Sequence, residues 1–211
     1  MIAFTLAVAG VAILAIAIRA QRSAPEPKAS AAGTLLDRPA ARTQPARTLP
    51  TRRTTTPATT HPGLSASPPV SVAIPSIGVQ SDLTLLGRNA DGTVEVPVSY
   101  QTAGWYDGSV TPGQVGPSII LGHIDSTAGP GVFFRLGALQ PGDRVAVNRR
   151  DGTVATFRIT GVREYPKDRF PTIEVYGDTP VPTIRLITCG GVFDSTTHHY
   201  LSNIVAFGQL V

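Results

Sequence analysis

The sequence is poor in cysteine, with Cys189 the only one in 211 residues. A single cysteine excludes an intramolecular disulfide, so any role of Cys189 beyond packing is that of a thiol. Free cysteine is among the most frequently buried residue types and commonly behaves as a small apolar side chain. The cysteine count alone therefore favours a packing role, and a reactive role needs support from the surrounding sequence.

The carboxyl-terminal part of the chain has no excess of basic residues. Ten basic and twelve acidic residues follow position 69, whereas eight basic and two acidic residues precede position 70. The net charge of +4 therefore comes from the amino-terminal part, which can lie along an anionic lipid or wall-polymer surface. Runs of Arg or Lys interleaved with aromatic residues are also missing, and together these absences exclude nucleic-acid binding.

An apolar segment without charge or proline covers residues 2–18. As a helix with a rise of 1.5 Å per residue it would span about 26 Å, near the lower limit for crossing the hydrocarbon core of a bilayer. The small-x-small sequence Ala15-Ile16-Ala17 lies inside this segment and not after it, which favours an uncleaved anchor over a cleaved export signal. We therefore predict a transmembrane anchor over residues 1–19.

The basic residues near this segment bear on its orientation. Arg19 and Arg22 follow the segment and no basic residue precedes it. The positive-inside rule alone would leave the rest of the chain in the cytoplasm. We expect the opposite orientation, with a single membrane pass and the folded domain outside the cell membrane. A short amino-terminal stretch upstream of Met1 would reconcile this orientation with the positive-inside rule.

Residues 20–69 are rich in proline, alanine, threonine and arginine. Such a composition lacks the apolar content that would offset the entropy lost on ordering. We predict a disordered linker over residues 20–69 that holds a folded domain, residues 70–211, away from the membrane.

The predicted domain has almost no helical periodicity. Short β-rich runs recur, and turn sequences such as Asp-Gly separate them. Predicted strands cover residues 71–77, 93–96, 118–122, 144–148, 153–162, 183–189 and 203–207. Only residues 132–139 resemble a helical turn or two. Because exposed strand edges promote aggregation, many strands with irregular spacing predict an all-β domain that forms a closed or nearly closed barrel.

Two of the predicted strands end at residues that can carry chemistry. One apolar run leads to His123, and another leads to Cys189. An unperturbed thiol is only a few per cent thiolate at pH 7. A nearby imidazolium promotes the thiolate and can later donate a proton to a leaving amine. The paired strand ends therefore favour a catalytic thiol and imidazole over two packed residues.

Three short sequences of the predicted domain resemble the motifs of a known family. Leu-Ile-Thr-Cys at residues 186–189 and Leu-Gly-His at residues 121–123 are similar to the cysteine signature and the histidine element of the sortases. Ile-Pro-Ser-Ile-Gly at residues 74–78 resembles the opening strand. The longer sequences around the cysteine and the histidine most resemble class F sortases of high-GC Gram-positive bacteria. The resemblance covers about residues 70–208, with the elements in the family's order.

The resemblance implies an eight-stranded β-barrel with one or two short helices, and a cysteine transpeptidase acting outside the membrane. Cys189 would attack a carbonyl of a C-terminal sorting signal of the Leu-Pro-x-Thr-Gly kind and form an acyl-thioester. His123 would protonate the departing amine and then deprotonate the incoming amine. The implied partners are secreted proteins that carry such a signal and a peptidoglycan precursor or other amine nucleophile. The chemistry requires no metal and no cofactor.

The family's third catalytic residue is an arginine that donates to the oxyanion of the tetrahedral intermediate, and it usually follows the cysteine. No Arg or Lys occurs in residues 186–211. Arg185 shares a strand face with Cys189, although their Cα atoms should be about 13 Å apart. Arg135, in the loop after His123, is the other candidate. A solvated or salt-bridging role is the alternative for both arginines.

Two other functions are compatible with these residues. A sortase-like domain without the late arginine would bind sorting signals with little or no turnover. A different cell-wall cysteine enzyme, either an L,D-transpeptidase or a papain-like peptidase, is the third reading, but the order of His123 before Cys189 does not suit a papain-like enzyme.

Asp125 is a candidate either to orient the His123 ring or to cap the following turn.

Overall fold

The computed structural model describes residues 23–32 and 62–211. The predicted anchor over residues 1–19 lies outside these ranges, as do residues 33–61 of the predicted linker. Within the described part of the chain, no helix is long and apolar enough to cross a membrane.

Eight strands form a closed barrel, which confirms the predicted all-β barrel. In chain order the barrel strands are β1 (Pro69–Ile74), β2 (Val79–Leu86), β3 (Ala103–Tyr106), β4 (Gly116–Leu121), β7 (Arg144–Arg149), β8 (Val154–Pro166), β9 (Pro182–Asp194) and β10 (His199–Leu210). Around the barrel the order is β1, β2, β3, β4, β9, β10, β8, β7. A separate two-stranded hairpin consists of β5 (Asp125–Ser126) and β6 (Gly129–Pro130).

Helical structure in the described residues is confined to short connections. The α-helix α1 (Thr172–Tyr176) and the 3-10 helix Lys167–Arg169 both lie in the connection between β8 and β9. Three further 3-10 helices are Ala29–Ala32, Pro75–Ile77 and Leu136–Ala138. The last of these falls within residues 132–139, where a helical turn was predicted.

Strand β9 is buried on both faces. Ile184 and Leu186 belong to the core cluster inside the barrel. Ile187, the next residue in the strand, belongs to a second apolar cluster with Phe207 and with Val175 of α1. Because α1 and β10 cover the outer face of β9, the sequence of β9 is a continuous apolar run and does not alternate between apolar and polar residues.

Strands β4 and β9 are neighbours in the barrel and run parallel. Their register extends from the pair Gly116 and Pro182 to the pair Leu121 and Ile187. Because parallel strands end at the same edge of a sheet, the residues that follow Leu121 and Ile187 emerge side by side. The two apolar runs that the sequence analysis singled out are therefore adjacent.

The strand predictions differ from the structure in two regions. Residues 93–96 do not form a strand, and their only ladder contact is an isolated bridge between Arg88 and Val94. Strands β2 and β3 were not predicted. Neither alternates between apolar and polar residues, because β2 carries polar side chains on both faces and all four residues of β3 are buried.

Residues 23–32 pack against the barrel, which differs from the disordered linker predicted for them. Ala31 is completely buried in the core cluster. The carbonyl of Pro25 lies so close to Gly137 that a side chain there would collide with it. The small side chain of Ala31 and the absence of a side chain at Gly137 thus allow this part of the linker to pack closely against the barrel.

Candidate active site

Cys189 lies half-buried in β9, at the edge of the barrel. It is paired with Asn203 of β10. The two glycines that follow are fixed by their surroundings. A Cβ on Gly190 would lie 2.6 Å from the Ile204 side chain, and Gly191 has a φ of +72°, which favours glycine. The β9–β10 register shifts next to this point, so the chain bends away just after the thiol.

His123 lies at the same edge as Cys189. The last register pair of the parallel strands is Leu121 and Ile187. His123 lies two positions after Leu121, and Cys189 lies two positions after Ile187. The Nε2 atom of His123 is 2.6 Å from the carbonyl oxygen of Pro97. Since a carbonyl only accepts, Nε2 carries the hydrogen and donates it, which leaves Nδ1 as the other nitrogen for proton exchange.

A tyrosine ring also positions the imidazole. The rings of Tyr100 and His123 have their centroids 4.4 Å apart and are inclined by 43°. The loop that carries Pro97 and Tyr100 therefore holds the imidazole by a hydrogen bond and a ring contact.

Lys167 is the charged side chain that contacts the thiol. Its Nζ is 3.6 Å from the Sγ of Cys189. Lys167 begins the 3-10 helix that follows β8, and the preceding residue, Pro166, is still paired with Ser202 of β10. The side chain therefore reaches Cys189 from the connection that borders the outer face of the barrel.

Asp125 accepts a hydrogen bond from the hydroxyl of Tyr200, at 2.5 Å. This contact is neither of the two roles considered for Asp125 from the sequence, because its partner is a side chain of β10. Burial and the hydrogen bond to Asp125 raise the pKa of Tyr200 above its ordinary value. The Tyr200 phenol therefore stays protonated at neutral pH and ties the loop after His123 to the strand beside Cys189.

Arg185, the predicted oxyanion donor, is a buried side chain on the outer face of β9. It is 6% exposed, its Cζ lies 4.7 Å from the centroid of the Phe207 ring, and its Nη1 donates to the Ile184 carbonyl at 3.1 Å. Burial lowers the pKa of the Arg185 guanidinium to about 10, and the carboxylate of Glu174 acts in the opposite direction. Arg185 is therefore a charged side chain at neutral pH, covered by the β8–β9 connection.

Arg135, the second predicted candidate, is exposed and directly precedes the 3-10 helix Leu136–Ala138. The structure does not test a catalytic role for Arg135 or Arg185, and both assignments stay predictions.

A cavity of about 450 Å³ adjoins the site. Its wall includes Asn203, the register partner of Cys189. Ile119 lines it from the outer face of β4, and Phe170 and Tyr176 line it from the β8–β9 connection. The cleft, whose walls are partly aromatic and apolar, thus reaches the strand position opposite Cys189, and such walls suit an extended peptide.

Several residues of the site were missed by sequence reasoning. Pro97, Tyr100 and Tyr200 reach the site only through the return of loops and strands to the barrel edge. Lys167 had one available signal, since it is the single lysine of residues 62–211. A lone lysine in a domain whose other basic residues are all arginine is a modest signal, and it does not indicate a distance from the cysteine.

A closed barrel that presents a half-buried thiol and an imidazole at the ends of adjacent strands has the arrangement expected of a cysteine-dependent enzyme. The family model of the sortase domain matches residues 72–211. No curated protein is similar enough in sequence to count as a match. The chain belongs to the sortase family, and the protein is a sortase-type cysteine transpeptidase.

Solved structures of sortases have the same fold. Sortase C-1 from Actinomyces oris has a TM-score of 0.52 at 20% identity, over 67% of this chain and 72% of that one. A lid mutant of sortase A from Corynebacterium diphtheriae has a TM-score of 0.51 at 18% identity, over 70% of this chain and 73% of that one. Sortase C1 from Streptococcus agalactiae has a TM-score of 0.52 at 19% identity, over 67% of this chain and 66% of that one.

Proposed function

We propose that this sortase cleaves a C-terminal sorting signal of the Leu-Pro-x-Thr-Gly kind and transfers the acyl part to a cell-wall amine. Cys189 is the nucleophile and His123 the general acid and base. The observation that supports these roles is the parallel pairing of β4 with β9, which brings both residues to one edge of the barrel.

The reaction has two acyl-transfer steps. The Cys189 thiolate attacks the scissile carbonyl, a carbon–sulfur bond forms, and the electron pair moves to the carbonyl oxygen. Collapse of this intermediate expels the amine, which takes its proton from His123. In the second step His123 removes a proton from the incoming amine, which attacks the thioester and releases Cys189.

The surroundings of Cys189 support a peptide as the substrate. The neighbouring cavity of about 450 Å³ is bounded by aromatic side chains of the β8–β9 connection, Phe170 and Tyr176. Such walls suit the apolar residues of a sorting signal, whereas the polar residue Asn203 lies on the side of the thiol.

The proposal also includes the cellular setting. An apolar anchor over residues 1–19 and a linker over residues 20–69 would hold the barrel outside the cell membrane, where secreted proteins and wall precursors meet. The sequence motifs around His123 and Cys189 support assignment to class F, and the acceptor would be a peptidoglycan precursor or a related amine.

The proposal is tested with a fluorogenic peptide panel that varies the residues of the Leu-Pro-x-Thr-Gly signal, in the presence of a small amine. We expect cleavage between Thr and Gly, and a product in which the amine has replaced the Gly-containing fragment. Cys189→Ala should abolish both, and His123→Ala should lower kcat by about 10²- to 10⁴-fold, the usual contribution of general acid–base catalysis.

The other readings predict different results. Saturable binding of a peptide with no cleavage over the whole panel would indicate a binding module. Processing of wall peptides without cleavage of sorting signals would indicate another cell-wall cysteine enzyme. Either result would contradict the proposed function.

A further inference from the structure

Lys167 is placed at the reacting sulfur by its local structure. It directly follows β8, whose last residue, Pro166, is held in the sheet by pairing with Ser202. From there its side chain brings Nζ to 3.6 Å from Cys189 Sγ. The two residues that follow Lys167 do not share this contact, because Asp168 and Arg169 form an exposed ion pair with each other at 3.8 Å.

The reaction needs a hydrogen-bond donor close to the sulfur. When the thiolate attacks a carbonyl, negative charge moves to an oxygen that is separated from the sulfur by a single carbon atom. A donor stabilises this oxyanion when it lies about 2.7–3.1 Å away from it. An ammonium group already in contact with the sulfur needs only a small side-chain rotation to reach that oxygen.

The two arginines considered from the sequence have no contact with the sulfur among the hydrogen bonds of the described residues. The Arg185 guanidinium lies over the Phe207 ring and donates to the Ile184 carbonyl. Arg135 is exposed beside the 3-10 helix Leu136–Ala138. Opposite Cys189 on β10 stands the neutral residue Asn203.

The exposure of Lys167 is consistent with a role in the transition state. In the free protein Lys167 is exposed, and a solvated ion contact contributes little to stability. A bound peptide would cover the ammonium and exclude water, and the interaction with a developing oxyanion would then strengthen. An interaction that is stronger in the transition state than in the free enzyme accelerates the chemical step.

We propose that Lys167 is a catalytic residue whose ammonium group donates a hydrogen bond to the oxyanion formed when Cys189 is acylated. The ammonium keeps its proton throughout and takes no part in the transfer to the leaving amine. This inference rests on the proposed role of Cys189 as the acylated nucleophile, but it does not depend on the identity of the sorting signal.

The test compares two reactions of Cys189 that need no peptide. Acylation by p-nitrophenyl acetate passes through an oxyanion, whereas alkylation by iodoacetamide does not. We expect Lys167→Ala to slow acylation by about 10²- to 10³-fold, the usual cost of removing an oxyanion donor. Alkylation should slow by a much smaller factor, and Lys167→Arg should restore a large part of the acylation rate.

Two control variants isolate the effect. Arg169→Ala removes a cation from the same turn and should leave both rates unchanged. Cys189→Ala gives the background reaction of the ester with amines, which is subtracted. Equal slowing of acylation and alkylation in Lys167→Ala, or no slowing of either, would overturn the role at the oxyanion.

The two proposals fail in different ways. Lysine-dependent acylation by the ester without any turnover of sorting peptides would contradict the proposed function and leave Lys167 at the oxyanion. Full peptide turnover by Lys167→Ala would support the proposed function and overturn the role of Lys167.

Discussion

Arg185 carries a buried positive charge close to Cys189 in sequence. Its guanidinium is held over Phe207, and among the described residues its Nε has no hydrogen-bond partner. Contact with an aromatic ring stabilises a buried cation, whereas the loss of its hydration without a full set of hydrogen bonds destabilises it. The lowered pKa of Arg185 shows that the loss of hydration is the larger effect, so the charge of Arg185 should not add to stability.

Arg185→Met tests whether this charge serves catalysis. We expect the acylation rate of Cys189 to change far less than the about 10²- to 10³-fold that loss of an oxyanion donor causes. The free energy of unfolding should change by less than about 2 kcal/mol, since methionine fills a similar space without a desolvated charge. Ester acylation and urea unfolding measure the two effects, with Arg185→Lys as the charge-conserving control. A loss of 10²-fold or more in Arg185→Met, with recovery in Arg185→Lys, would assign the oxyanion to Arg185.

The thiol and the imidazole could be singled out from the sequence, but the side chains that contact them could not. Cys189 and His123 each end an apolar run, and a run of this kind can be recognised without a structure. Pro97, Tyr100 and Lys167 come from connections far away in the chain. Their distance from the site depends on where the barrel closes, which no local pattern records.

At the scale of elements, the segment 23–32 behaves as part of the domain. Its 3-10 helix Ala29–Ala32 presents Ala31 to the core, while Ala29 is exposed. The segment also contacts Gly137, in the 3-10 helix that follows Arg135. Removal of residues 23–32 should therefore uncover apolar surface of the barrel.

Ala31→Glu should destabilise the protein by about 1–3 kcal/mol, because it either buries a carboxylate or forces the segment off the barrel. Ala29→Glu is a matched control in the same helix and should change stability by less than about 0.5 kcal/mol. Thermal or urea unfolding of the chain measures both. Equal stability of the two variants would show that the docked segment contributes nothing to the domain.

The strands that were predicted correctly are those marked in the sequence by an apolar or β-branched run or by a turn sequence at one end. The Asp-Gly turn marked the boundary between β7 and β8, and an apolar run marked β9. Strands β2 and β3 escaped prediction because their neighbours in the barrel decide their conformation, and β3 contains only four residues. The predicted strand at residues 93–96 was wrong, since this stretch instead forms hydrogen-bonded turns around Thr93.

At the scale of the whole molecule, the site is a product of barrel topology. Most strand pairs are antiparallel, but β4 and β9 are parallel, so residues from separate parts of the chain leave the sheet at one edge. Strand β10 lies between β9 and β8, and Lys167, the residue that follows β8, reaches the same edge from the far side of β10. A thiol, an imidazole and an ammonium group thus emerge at one edge of a rigid frame, an arrangement that suits the proposed chemistry because that chemistry depends on position.

The most direct test of this account is intact-mass analysis of the protein after brief reaction with a sorting peptide in the absence of an amine. The account predicts an added mass equal to the peptide fragment that ends at the threonine, carried on Cys189 and discharged when an amine is added. The adduct should be missing in Cys189→Ala. A wild-type protein that cleaves the peptide without this thioester, or that gives neither adduct nor cleavage over the whole panel, would contradict the central claim.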